Sequence, residues 1–291
     1  MIDPAEVLER CQFPPKGTPV TVAVSGGADS LALLVLAVRA GCTVMAVHVD
    51  HGLRPGSATE ADVVAHAAAR FDARFRAESV TVAPGPNVEA RARAARYGVL
   101  PSDVLTGHTA DDRAETILLN LLRGAGLYGL SALRPGPRHP LVQLRRADTE
   151  AVCAEAGLEP VRDPSNHDPA LRRNRVRHEL VPLLADIAQR DAVPVLCRQG
   201  DLLGDDADLL ASLASALDPT DAAALVAAPL PLARRAIRRW LRSAAADGQP
   251  PDAATVERVV RVARQEAVAA EVGAGRRVAR TGGRLRLEPP L

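Results

Sequence analysis

The sequence predicts an α/β protein: a parallel sheet covered by helices on both faces, then a helical linker and a small α+β unit. Three observations carry this prediction. Short apolar runs alternate with stretches of helical spacing through the first half of the chain. A turn of small residues, Ser25-Gly26-Gly27-Ala28, joins the first such run to the first of those helices. Beyond residue 182 the alternation stops and motif-poor helical sequence takes over. The 291 residues, 47% of them hydrophobic, suffice for a core without disulfide or metal staples. With only 2% aromatic residues, that core must be built from Ala, Val and Leu.

Residues 3–11 read as a short helix ahead of Pro14 and Pro15. Residues 20–24 are β-branched and apolar, hence a buried strand, and Asp29 or Ser30 caps a helix that keeps its spacing to Arg39. Gly41 stops that helix, and residues 43–49 form the second strand. A helix over 57–70 with Ser57 as N-cap, a strand over 74–82 and a helix over 87–97 follow. A short strand over 104–106 and a helix over 110–122 complete the alternation. Crossovers of this kind make strands parallel and place ligands beyond their carboxyl ends. Residues 134–140 are a Pro/Gly-rich loop, 147–156 a helix ended by Gly157, and Asp163-Pro164-Ser165-Asn166 a turn. Residues 171–180 read as an arginine-rich helix. The predicted domains are therefore 1–182, a linker over 183–217, and a unit over 218–291. In that unit, helices over about 232–245 and 254–264 precede strands near 267–272, 276–280 and 284–287. The alanine run 222–228 reads as compositional bias rather than low-complexity disorder.

A net charge of +1 excludes a globally basic nucleic-acid binder, so any such contact must be a local patch. Cys11, Cys42, Cys153 and Cys197 lie far apart, which argues against a disulfide framework, a zinc site or a cysteine-held cluster. The acidic start (Asp3, Glu6, Glu9) is no signal peptide, and no run is long enough for a membrane span. The expected location is the cytoplasm, with no membrane partner.

The candidate chemistry sits at predicted strand ends. Gly26 and Gly27 leave room for a ligand, and backbone N–H groups at a strand–turn–helix junction suit phosphate. The plain alternative is an ordinary βα turn. The second strand runs into His48-Val49-Asp50-His51-Gly52-Leu53-Arg54, where His48 and Arg54 would lie near the same phosphates. Taken alone, those histidines equally suit a loop satisfying its own backbone. Asp112 and Glu115, in Gly107-His108-Thr109-Ala110-Asp111-Asp112-Arg113-Ala114-Glu115-Thr116, share one helical face. Two such carboxylates could hold a divalent cation, bind and deprotonate an amine, or merely favour the helix dipole.

Ser-Gly-Gly-x-Asp-Ser resembles the signature of the PP-loop ATP pyrophosphatases, whose adenine nucleotide alpha hydrolase-like domain cleaves ATP between its α and β phosphates. The resemblance narrows further along the chain. The strings already quoted, with Ala92 to Tyr97, Arg123-Gly124-Ala125-Gly126, Asp163 to Asn166 and Arg173-Asn174-Arg175-Val176-Arg177, occur in the order seen in tRNA(Ile)-lysidine synthetases. The match spans about residue 20 to Pro182 and fades beyond. Pro160-Val161 stands where the family often carries an aromatic. The resemblance implies ATP-dependent ligation of free L-lysine to carbon 2 of the wobble cytidine of tRNA(Ile) with a CAU anticodon, through an adenylated cytidine. It implies that Ser25, Gly26, Gly27, Ala28, Asp29, Ser30, His48 and Arg54 bind ATP. Asp29 and Asp112 would attend Mg²⁺, while Asp112 and Glu115 grip the lysine ammonium. Arg173 would act on the phosphates, and Arg93, Arg96, Arg172, Arg175 and Arg177 would contact tRNA. A homodimer is an admissible assembly. The rival is a tRNA thiolation enzyme on the same fold, which typically needs a C-x-x-C pair or a catalytic cysteine.

Overall fold

The computed structural model describes residues 4–50, 52, 57–81, 88–161, 163–245 and 248–289, without the side chains of 4, 57–59, 88–90 and 167. These residues divide into two compact units, Met1–Leu203 and Gly204–Leu291.

In the first unit α1 (Pro4–Glu9) precedes β1 (Pro19–Ala23), α2 (Ala28–Arg39), β2 (Thr43–Asp50), α3 (Ser57–Arg70), β3 (Arg74–Ser79) and α4 (Val88–Val99). The strands form one parallel sheet in the order β1-β2-β3. Residues 104–106, predicted as a strand, contribute one parallel bridge, Val22 to Leu105, on the free side of β1. Ala23 N–H donates to Leu105 O at 3.0 Å, and Leu105 N–H donates to Thr21 O at 2.9 Å. That single bridge nonetheless brings the loop after residue 106 beside the end of β1.

α2 is apolar almost all round because it is covered on both sides. Leu31, Leu33, Leu34 and Leu36 are fully buried in a cluster that also takes in Val22, Val44 and Cys153. A helix with no polar face belongs in an interior. Its N-cap is Gly27, with no side-chain cap, which corrects the expectation that Asp29 or Ser30 caps it. β3 ends at Ser79, and its exposed Arg74 and Arg76 with the half-buried Glu78 suit a charged strand at the edge of the sheet.

α5 (Ala110–Leu122) follows, then the unforeseen short α6 (Leu127–Leu130) and α7 (Arg146–Glu155), which packs on α2. A 3₁₀ turn (Pro164–His167) leads to α8 (Arg172–Arg175), a π turn (Val176–Leu180), α9 (Val181–Ala188) and α10 (Ala192–Ser215). The helix predicted over 171–180 thus continues past 180 and widens by one residue per turn. Pro182 has no N–H for the carbonyl of His178, and the wider turn absorbs that missing bond.

The second unit packs α11 (Ala222–Ala227), α12 (Leu230–Ala244) and α13 (Ala253–Ala263) on an antiparallel sheet, β4 (Ala269–Gly273), β5 (Arg276–Thr281) and β6 (Arg284–Glu288), ordered β4-β5-β6. The alanine run is an ordered helix, in keeping with its not being low-complexity disorder. Asp221 caps it by accepting the N–H groups of Ala223 and Ala224, both at 3.0 Å. Among the arginines of α12, Arg234 pairs with Glu257, Arg239 donates to Ala214 O, and Arg242 donates to Gly248 O. Those three serve the unit's own structure. No described helix is long and apolar enough to cross a membrane.

Candidate active site

A cavity of about 1230 Å³ opens beyond the carboxyl ends of β1 and β2, at the amino end of α2. The turn that leads into α2 is tied to itself. Ser25 N–H donates to Ser30 Oγ at 3.1 Å, and Ser30 O–H donates to Gly27 O at 2.9 Å. Gly26 has φ +85°, open to glycine at little strain, and its carbonyl accepts Val161 N–H at 2.9 Å. The first N–H groups of any helix lack intrahelical i−4 acceptors, and the residues that open α2, Ala28, Asp29 and Ser30, line the cavity at the positive end of its dipole. Gly107 fixes the neighbouring loop: a Cβ there would lie 2.5 Å from Asp29 O. Only a residue without a side chain lets that loop pack on the first turn of α2.

Ser25, Gly27, Ala28, Asp29, Ser30, His48, Arg96 and Arg177 all line this cavity. Gly26 shapes the turn without lining it. His48 is buried at 2% exposure, and its Nδ1 lies 2.9 Å from Val24 O. A carbonyl only accepts, so Nδ1 carries a proton, and in the neutral ring Nε2 keeps a lone pair. That Nε2 is buried with no hydrogen-bond partner among the described residues. It suits a hydroxyl or amino donor of a ligand better than a phosphate oxygen. Arg54 lies outside the described residues, as does His51.

Beside the turn lies a cluster of carboxylates and guanidinium groups. α5 begins with a capping box: Thr109 N–H and Oγ1 both bond to Asp112 Oδ2, at 3.0 and 3.1 Å. This leaves Asp112 Oδ1 facing Arg146 at 3.4 Å and Arg177 at 3.6 Å. Glu115, one turn on, is 1% exposed. Its oxygens take Arg177 Nε at 2.6 Å and Nη2 at 3.1 Å, with Arg146 and Arg173 each at 3.4 Å. A buried carboxylate is tolerable only with such partners. Arg173 also donates to Thr116 Oγ1 at 2.7 Å. Asp29 accepts a short hydrogen bond from the Thr149 hydroxyl and sits 3.7 Å from Arg146. Burial, and then the charge of Asp112, push the Asp29 carboxyl up to about 6. For Asp111, burial pulls upward, but hydrogen bonds from Arg145 and the Arg146 N–H outweigh it and hold the carboxyl below its usual range.

The expected tRNA contacts separate into groups. Arg93 and Arg96 stack on Tyr97, with guanidinium carbons 4.9 and 5.3 Å from the ring centroid. Arg172 and Arg175 line a second, smaller pocket, and Arg175 also pairs with Glu179 at 2.8 Å. Sequence reasoning passed over Arg146 and Thr149, which α7 delivers to Asp29, Asp112 and Glu115. A signal existed. Arg145 and Arg146 stand at the amino end of a helix, where the dipole disfavours cations unless carboxylates face them. Among the described residues no group of three or more His, Cys, Asp or Glu could hold a metal ion.

A family model described as a PP-loop domain matches residues 5–184, and one described as the TilS substrate binding domain matches residues 221–286. A tRNA(Ile)-lysidine synthase of Nocardia farcinica is 43% identical over 245 residues, 79% of this chain and 77% of that protein. One of Rhodococcus jostii is 41% identical over 245 residues, 79% of this chain and 75% of its own. Among solved structures, the U34-tRNA thiolase NcsA from Methanococcus maripaludis, with its 4Fe-4S cluster, covers 69% of this chain and 78% of its own. Its TM-score is 0.55 at 15% identity, a likeness of fold alone.

Proposed function

The chain belongs to the tRNA(Ile)-lysidine synthase family of PP-loop enzymes, and on that premise we propose that it makes lysidine in tRNA(Ile). ATP is cleaved to AMP and pyrophosphate, and L-lysine is joined to carbon 2 of the wobble cytidine of a CAU anticodon. The observation that carries this reading is that the helix-end turn, Ser25 to Ser30, opens into one cavity with Asp29, Arg146 and Arg177, whose guanidinium groups are held from behind by Asp112 and Glu115.

The chemical difficulty is that the cytosine carbonyl oxygen is a poor leaving group. Transfer of AMP to that oxygen makes it a phosphate-type leaving group, which the neutral lysine amine then displaces. The backbone of the Ser25 to Ser30 turn cradles the pyrophosphate and stabilises the charge that develops as it departs. Arg146, Arg173 and Arg177 are at hand for the triphosphate, and His48 Nε2 accepts from a nucleoside hydroxyl or amino group. Asp29 and Asp112 fit Mg²⁺, which commonly takes one or two carboxylates and completes its shell with phosphate oxygens and water. That ion would neutralise triphosphate charge. Asp112 and Glu115 hold the lysine ammonium, since their arginine partners have the phosphates as alternative anions. Arg93, Arg96, Arg172 and Arg175 contact the RNA, which must present an unpaired base. Residues 183–217 act as the linker and 218–291 as a tRNA-contacting domain, and the reaction runs in the cytoplasm.

Thiolation is the weaker reading. The sequence holds no C-x-x-C pair, and Cys153, which does line the cavity, donates to Ala28 O at 3.3 Å. Burial pushes its thiol up to about 12, far from a ready nucleophile. The test is incubation with ATP, labelled lysine and transcribed tRNA(Ile), with Asp29→Ala as control. Label should enter the RNA only with ATP and be lost with the variant. Label that stays out, or enters without ATP, rejects the reading.

A further inference from the structure

Thr106, His108 and His139 form a hydrogen-bonded chain that none of the roles above uses. Thr106 is 8% exposed, and its Oγ1 lies 2.7 Å from His108 Nδ1 and 2.8 Å from His139 Nδ1. The two rings meet edge to face, with centroids 5.1 Å apart. One hydroxyl carries one proton, so it can donate to only one of these nitrogens, and the other ring must donate to it. Arg138 O, 3.3 Å from Oγ1, is a third acceptor for that proton, farther away than either ring nitrogen. Thr106 and His108 line the main cavity, while His139 does not and is half-buried.

We propose that His108 is a further catalytic residue, which takes the proton released when the lysine amine attacks carbon 2 and passes it through Thr106 to His139. This rests on the lysidine reading above. The amine proton goes to His108 Nε2, and the Nδ1 proton of His108 goes to Thr106 Oγ1. The Thr106 hydroxyl proton goes to His139 Nδ1, and His139 releases its Nε2 proton to water. The C–N bond forms as the C–O bond to AMP breaks, with the electron pair leaving on the phosphate. Exchange with water restores the starting tautomers once products leave. The groups acting electrostatically on His108 are Asp112, His139, Arg93 and Arg173, and those acting on His139 are Arg138 and Arg93. Burial, helped by the nearby arginines, holds both imidazoles below their ordinary range and neutral at pH 7, the His108 ring being lowered to about 4 although the Asp112 carboxylate pulls it upward. A ring that cannot retain a proton must hand it on, which is why Thr106 and His139 matter as positioning residues.

The experiment uses the full chain, Thr106→Val and Thr106→Ser. Single-turnover assays follow adenylation of the tRNA and lysine transfer separately, in H₂O and D₂O. Side-chain ¹⁵N spectra report the tautomers. We expect complementary tautomers in the wild type, His108 protonated at Nδ1 and His139 at Nε2. Thr106→Val should slow lysine transfer about 100-fold, at least tenfold more than adenylation, and abolish the solvent isotope effect on transfer. Thr106→Ser should restore both. Equal loss in the two half-reactions without rescue by serine would mean a structural role and overturn the proposal. So would wild-type transfer with an unchanged isotope effect in Thr106→Val. A wild type that never adenylates tRNA would reject the lysidine reading instead, with the tautomer pairing still readable.

Discussion

Asp29 shows how a functional carboxylate acts against the fold that carries it. Its carboxyl is raised from 3.8 to about 6 by burial and by Asp112. The folded chain therefore holds a proton more tightly than the unfolded one, and stability falls as pH rises from about 4 through about 6. The span corresponds to about 3 kcal/mol at most. The side chain is 26% exposed, so solvent screens part of this, and about 1–2 kcal/mol is the expected effect. Asp29→Asn should melt higher than the wild type at pH 8, with the difference vanishing near pH 4, while losing ATP-dependent activity. Melting curves across that range check the sign. Gly107→Ala makes the opposite case, because its Cβ would lie 2.5 Å from a backbone oxygen of the first turn of α2. It should cost about 1–3 kcal/mol in denaturant unfolding and weaken nucleotide binding. At this scale the sequence was legible wherever residues act as a contiguous string, as in Ser25 to Ser30 and Gly107 to Thr116. It was not legible where a role depends on what faces the residue. His48 is an acceptor at Nε2 only because Val24 O occupies Nδ1, and no local pattern announces that.

Among the elements, α5 has its functional face set by its own cap. Thr109 is fully buried and exchanges hydrogen bonds with Asp112, so the residue that starts the helix also aims a carboxylate at Arg146 and Arg177. Thr109→Ala should cost about 1 kcal/mol in denaturant unfolding and should lower activity more than that loss of stability explains. Asp201→Asn at α10 is the structural counterpart. It leaves the 2%-exposed Arg113 without the negative charge that faces it at 2.6 Å and should destabilise by about 2 kcal/mol with little change in turnover. The half-exposed Asp201 makes this less than a fully buried pair would cost. Most elements could be read from period and turn residues. The exceptions have physical reasons. Residues 104–106 pair by one bridge, too little to form a strand, and Pro182 imposes a π turn that no periodicity reveals. In the alanine run, the Asp221 cap sets a helix that composition alone does not announce.

At the scale of the whole molecule, a net charge of +1 means that RNA is not attracted by the protein's overall charge. Binding must come from local arginines, and it should weaken steeply as salt rises. Arg172→Ala should lower the slope of log affinity against log salt by about 1, an effect expected of a phosphate contact rather than of a base contact. Affinity independent of salt would count against these arginines as the RNA contact. The order of elements and the position of the cavity followed from alternation alone, since parallel sheets place ligands at strand ends. What joins the cavity's halves did not follow. Arg146 and Thr149 reach Asp29 from more than a hundred residues away, and only packing of α7 on α2 brings them there.

The proposed function requires a nucleoside triphosphate docked at the amino end of α2. A crystal structure of the full chain with a non-hydrolysable ATP analogue tests it most directly. The triphosphate should lie against the backbone of Ser25 to Ser30, with guanidinium groups of Arg146, Arg173 or Arg177 turned toward it. A nucleotide bound elsewhere, with that turn closed by side chains, would contradict it.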